Sequence, residues 1–149
     1  MTPTLSGRLQ TRIFVLATVG VFWTLVISLV LPDTGGAPLD EVYETTFGVL
    51  LGVAVIGLIW ELIYHLLQQF RWEKDWPIIF GLLTGINEGI VLWFLIDGGV
   101  IPWIDEAHQP TLEAFAVHFI TTWLVVWLFL NGPVRVFLPR WRFRGGEII

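Results

Sequence analysis

Four apolar runs, at about residues 13–31, 46–69, 77–97 and 111–131, dominate the chain. Each is close to the roughly 20 residues that a helix needs to cross the hydrocarbon core of a bilayer. In a chain of 149 residues, four such runs leave no room for a soluble domain. Composition agrees, with 55 % apolar and 15 % aromatic residues against 14 % charged ones, far from the balance of an ordinary soluble domain. The expected fold is therefore all-α: a polytopic membrane protein forming an antiparallel four-transmembrane-helix bundle. Residues 1–149 make one membrane domain, and residues 132–149 form its basic cytoplasmic tail.

The breaks between the runs are turn chemistry: "LPDTGGAPLD", "RWEKDWP", "DGGVIPW" and "NGP". Pro32, Pro77 and Pro133 lack the amide that would continue a helix, and Pro77 suits a first turn. The first run lacks a small-x-small cleavage site and is read as a retained helix. "LPDTG" at 31–35 matches the pentapeptide that sortases cut, yet two further helices follow the span behind it, and a sorting signal needs a different context.

Basic residues resist translocation, so their distribution sets orientation. Arg8 and Arg12 precede the first run, Arg71 and Lys74 lie between the second and third, and Arg135, Arg140, Arg142 and Arg144 follow the fourth. All eight fall on one side, which puts both termini in the cytoplasm of a cytoplasmic (inner or plasma) membrane. The net charge of -5 is then a topological asymmetry and implies no nucleic-acid partner. The tail can lay Arg135, Arg140, Arg142 and Arg144 on lipid phosphates, at about 1 kcal/mol per basic residue near an anionic surface. Trp72, Trp76, Trp103 and Trp141 suit an aromatic belt. The absence of cysteine removes disulfides and thiol chemistry.

Helical spacing sorts the polar residues onto faces. In the second run Ala54, Gly57, Glu61, His65 and Gln68 share a stripe, with Tyr64 at its edge. Gly48 and Gly52 point elsewhere, which implies another packing partner, a second subunit among the possibilities. In the third run Gly81, Gly85 and Gly89 flank Thr84 and Glu88, the spacing that lets helix backbones approach closely in lipid. Ala114, His118 and Thr121 or Thr122 line the fourth run, and Ala17, Gly20, Thr24 and Ser28 the first.

An ionised group at mid-bilayer costs about 2.5–3.5 kcal/mol on insertion scales, so Glu61 and Glu88 call for partners or a purpose. At 1.5 Å per residue, His65, Glu61, Glu88 and His118 form a ladder from about 6 to about 20 Å deep. One expected pairing is Glu88 with His118, and another is Glu61 with a Thr or Ser. Three functions fit this intramembrane polar network. The first is a structural or accessory subunit of a larger membrane assembly, packed against another membrane protein or a second copy. The alternative is a proton or ion relay through Glu61, Glu88 and His118. The second alternative is an intramembrane metal or haem site, although the Glu-x-x-His repeat of di-metal bundles is absent, and no cofactor is specified. No Ser-His or Cys-His constellation or phosphate loop supports an enzyme.

Overall fold

The computed structural model describes residues 2–149. Helices make up 72 % of it, and there is no strand among the described residues. Four spans are long and apolar enough to cross a membrane: Leu5–Ile27, Leu39–Gln69, Ile78–Asp97 and Leu112–Phe137. The protein is thus a helical membrane bundle. Its elements are α1 (Leu5–Val15), a π turn (Leu16–Gly20), α2 (Val21–Ile27), α3 (Leu39–Gln69), α4 (Ile78–Asp97), a 3-10 turn (Glu106–His108), α5 (Leu112–Asn131), α6 (Pro133–Phe137) and α7 (Pro139–Phe143).

The caps account for most of the boundaries. Thr4 accepts a hydrogen bond from the Gly7 amide and starts α1, and Thr111 does the same for the Ala114 amide at α5. Pro38 and Pro77 stand immediately before α3 and α4. The first helix differs from the sequence expectation by about two turns, running from Leu5 and not from residue 13. Arg8 and Arg12 therefore lie inside the first span. That helix is inverted relative to a soluble amphipathic one: Arg8, Thr11, Arg12 and Val15 are buried, whereas Ile13, Phe14 and Phe22 face outward, where lipid is the solvent.

Packing within the bundle is uneven. α1 packs chiefly along α3, the π turn leans on α5, α2 lies against both α3 and α5, and α4 packs on both α3 and α5. A wedge of space is left between α1, α4 and α5. Around it, α4 and α5 join through rings seated on glycines. Phe115, Phe119 and Trp123 stack at 5.6 Å centroid spacings; a Cβ at Gly85 would meet the Trp123 ring and one at Gly89 the Phe119 ring. The small residues of α4 thus admit aromatic side chains, where close backbone approach was the expectation. Gly48 and Gly52 are covered within the chain as well. Trp103 Nε1 donates to the Gly48 carbonyl at 2.9 Å beside Ile104, and Leu92 of α4 covers Gly52.

The basic tail does not simply trail away. α6 and α7 turn back beneath α1, where Trp141 Nε1 donates to Thr11 Oγ1 at 2.6 Å, and Thr11 in turn donates to the Gly146 carbonyl at 2.8 Å. The Thr4 amide donates to the Gly145 carbonyl at 2.9 Å, and the Ile148 amide to Gln10 Oε1 at 2.9 Å. Gly145 and Gly146, at φ 61° and 93°, make the left-handed turn that this clasp requires. Trp141 is consequently buried and not part of an interfacial belt, whereas Arg140, Arg142 and Arg144 remain exposed.

Candidate functional site

The centre of the site is a four-charge cluster. Arg12 projects from α1 between α3 and α4, donating through one nitrogen to Glu61 Oε1 at 2.8 Å and through the other to Glu88 Oε2, with Glu88 Oε1 at 3.3 Å from the first. One turn earlier, Arg8 donates to Glu61 Oε2 at 3.2 Å and to Gln68 Oε1 at 2.8 Å. Gln68 passes the network on to the Lys74 carbonyl at 2.7 Å. Two guanidiniums and two carboxylates cancel, so the cluster satisfies the requirement that a charge taken out of water be paired. Three spans are tied together by one arginine.

The local sequence explains why Arg12 fits. A Cβ at residue 57 would coincide with its guanidinium, so Gly57 is the seat for the side chain. Rings complete the enclosure, with Arg8 4.5 Å above the Trp76 ring and Arg12 5.7 Å from the Trp123 centroid. Cation–π contacts of this kind strengthen when desolvated.

Glu61 and Glu88 are brought together, but by arginine and not by histidine. His65 sits at the outer edge of its stripe, 3.5 Å from Gln69 on the same helix and away from the cluster. The buried face of α3 centres on Gly57, Tyr64 and Gln68, which places His65 about 80° around the helix. His118 is buried at 2 % exposure, and its Nε2 lies 3.0 Å from Thr24 Oγ1. The expected Glu88–His118 hydrogen bond is therefore replaced by two others, Glu88 to Arg12 and His118 to Thr24. Glu61 likewise pairs with arginines and not with a Thr or Ser. Gly81, Gly85 and Gly89 lie against Trp127, Trp123 and Phe119, and Gly48 and Gly52 against Ile104 and Leu92.

Arg8, Arg12 and Gly57 are the site residues that spacing alone did not single out as a group. One signal was available: Arg8, Arg12 and Val15 fall on one helical face with Thr11, and two mid-membrane carboxylates need two cations. Among the described residues, no group of three or more His, Asp or Glu gathers as a metal-binding set.

Beside the cluster lies a cavity of about 500 Å³ filling the wedge between α1, α4 and α5. Its walls are apolar and aromatic, with Val15, Leu16, Val53, Phe119, Trp123 and Trp127 among them, and its rim reaches Asn131, Arg135 and Arg142. Four residues that line it each carry a buried side-chain atom without a hydrogen-bond partner: Arg12 Nε, Arg135 Nε, His118 Nδ1 and Thr122 Oγ1. Its carboxylates, in contrast, are all engaged, Glu61 and Glu88 by Arg8 and Arg12, and Asp75 by Arg71 at 3.0 Å. A cavity of this volume, apolar with a few convergent polar groups, has the anatomy of a small-molecule site.

Fold and site together define a multi-pass helical membrane protein with a charge-balanced arginine–glutamate centre beside an internal cavity. No protein-family model, curated protein or solved structure matches the chain.

Proposed function

We propose that the protein binds, within the membrane, a small amphipathic molecule with an apolar body and an anionic headgroup, admitted from the basic end of the bundle. The observation that carries this is the imbalance of charge around the cavity, where the lining carboxylates are consumed in ion pairs while Arg135 and Arg142 at the rim form no ion pair among the described residues. An anionic headgroup at the rim gives these guanidiniums a charged hydrogen-bond partner, worth about 1.5–3 kcal/mol per bond. The aromatic walls suit the apolar body. All eight Lys and Arg lie toward the basic end, which the positive-inside rule assigns to the cytoplasm, so the ligand arrives from the cytoplasmic leaflet.

The alternative roles draw less support. An accessory subunit draws on a free face at Gly48 and Gly52, and that face is covered by Ile104 and Leu92 of the same chain. A relay draws on a continuous ladder from Glu61 to His118, whereas both carboxylates are held by Arg12 and His118 by Thr24.

A dansyl-labelled C11 alkylsulfonate tests the binding reading through energy transfer from the cavity tryptophans in purified protein. Saturable binding is expected for the sulfonate, with the trimethylammonium analogue of equal length at least tenfold weaker. Replacing Arg135 and Arg142 together by Gln weakens the sulfonate about tenfold, in line with the worth of hydrogen bonds to charged groups. Non-saturable partitioning, equal for both headgroups, overturns the proposal.

A further inference from the structure

A second recess, of about 220 Å³, lies toward the opposite end of the bundle, lined by residues that include Asp33, Glu41, Thr46 and Thr111. His118 borders both spaces. Its neighbours on α5 divide cleanly, Ala114 and Phe115 lining the outer recess and Phe119 and Thr122 the inner cavity. On α3 the division falls between adjacent residues, Val49 outside and Leu50 inside. His118 is the one residue, among those described, that the two linings share. Its side chain is tethered on one edge only: Nε2 meets Thr24 Oγ1 at 3.0 Å, while Nδ1 has no partner. Thr24 itself is wholly buried and follows the π turn at Leu16–Gly20, an irregularity that is frequent where helices serve a function.

We infer that the two spaces are halves of one transmembrane route for the anionic amphiphile, with His118, held by Thr24, as the barrier between them. This rests on the reading of the inner cavity as an amphiphile site. Charge gives the route a direction. Arg135 and Arg142 at the inner rim capture an anion, and Asp33 and Glu41 at the outer recess do not retain it. The opening step in this inference is rotation of the His118 imidazole away from Thr24. Rotamer changes of single side chains are among the fastest protein motions.

Because the chain has no cysteine, single cysteines report accessibility without background. Thr122→Cys probes the inner cavity and Ala114→Cys the outer recess, using a membrane-impermeant sulfonated methanethiosulfonate on spheroplasts and on inside-out vesicles. With His118 present, each cysteine is expected to react at least tenfold faster from its own face. With His118→Ala or Thr24→Ala added, Thr122→Cys becomes reactive from the outer-recess face, at least tenfold faster than before. His118→Gln, which keeps a hydrogen-bonding group toward Thr24, keeps the barrier. Unchanged sidedness in both the His118→Ala and Thr24→Ala backgrounds overturns the inference. So does a parent pattern in which either cysteine reacts equally from both faces or from neither, and that readout stands even if the barrier variants fail to fold.

Transport is read separately in liposomes, by following dithionite quenching of a nitrobenzoxadiazole-labelled alkylsulfonate. The parent protein is expected to move this permanently charged probe between leaflets at least tenfold faster than protein-free liposomes, and His118→Ala faster still. No acceleration, with saturable sulfonate binding intact, removes the route and leaves the binding site standing. Loss of the binding itself removes both.

Discussion

Arg12 holds carboxylates from two different spans, Glu61 of α3 and Glu88 of α4, and is itself anchored in a third. Removing one member leaves an unpaired charge in a low-dielectric core, which costs about 3–5 kcal/mol, whereas removing a balanced pair costs far less. Arg12→Met and Glu88→Met are each expected to destabilise the bundle by about that amount. The double variant, which leaves Arg8 with Glu61, recovers most of the loss, so the cycle shows strong coupling in equilibrium unfolding in mixed micelles. Additive losses would mean that Arg12 and Glu88 act independently. Gly57→Ala is a backbone-side test of the same contact. Its methyl group would overlap the Arg12 guanidinium, and displacement costs about 1–3 kcal/mol as overpacking. Glu61 and Glu88 were legible as inward-facing from spacing alone. Their partners were not, because an arginine beside an apolar run reads equally well as the flank that stops translocation, and hydropathy does not distinguish a buried Arg12 from a cytoplasmic one.

At the scale of helices, a glycine matters according to what fills its space. A Cβ at Gly85 would come within 2.7 Å of the Trp123 ring atoms, and that ring is fixed on one side by Phe119 and by a hydrogen bond to the Gly81 carbonyl at 3.2 Å. At Gly52 a Cβ would meet one terminal methyl of Leu92 at 2.9 Å, which a rotamer change relieves. Gly85→Ala is therefore expected to lower the midpoint of thermal unfolding clearly more than Gly52→Ala, and equal shifts would contradict this account of the α4–α5 contact. The ends of α4 and α5 came within a residue of the sequence expectation, since proline or a threonine cap marks them. α1 and α3 did not: the start of α1 depends on Thr4, which lies outside the apolar run, and α3 begins at Leu39 behind Pro38, seven residues before the run at 46–69, through the polar stretch 40–46. The seating of rings on glycines was also hidden. Spacing identifies the small face of α4 but says nothing of which partner fills it. The clasp has its own test: Thr11→Val removes both the acceptor for Trp141 and the donor to Gly146, so limited proteolysis after Arg142 and Arg144 is expected to speed up severalfold while the spans stay folded.

For the whole molecule, burial of Arg8 and Arg12 changes which charges set orientation. Paired with Glu61 and Glu88 inside the bundle, they contribute no net positive charge to a loop once folded. Six basic residues remain outside the cluster: Arg71 and Lys74 between the second and third spans, and Arg135, Arg140, Arg142 and Arg144 beyond α5. The opposite connections hold Asp33, Asp105 and Glu106, with Asp40 and Glu41 in the adjoining first turn of α3, and no Lys or Arg. Single cysteines at the exposed positions Ser6 and Arg144 are expected to react only from the cytoplasmic face, and those at Asp40 and Ala107 only from the outer face. The charge account goes further than the topology itself. Replacing Arg71, Lys74, Arg140, Arg142 and Arg144 by Gln removes five of the six free basic charges and leaves the Arg8–Arg12 cluster intact. If loop charge orients the chain, a substantial fraction of molecules then inserts the other way, and Asp40→Cys becomes reactive from both faces. If Asp40→Cys stays accessible from the outer face alone, Arg8 and Arg12 must act before they are buried. Orientation would then be decided while the first span is inserting and its glutamate partners are still to come.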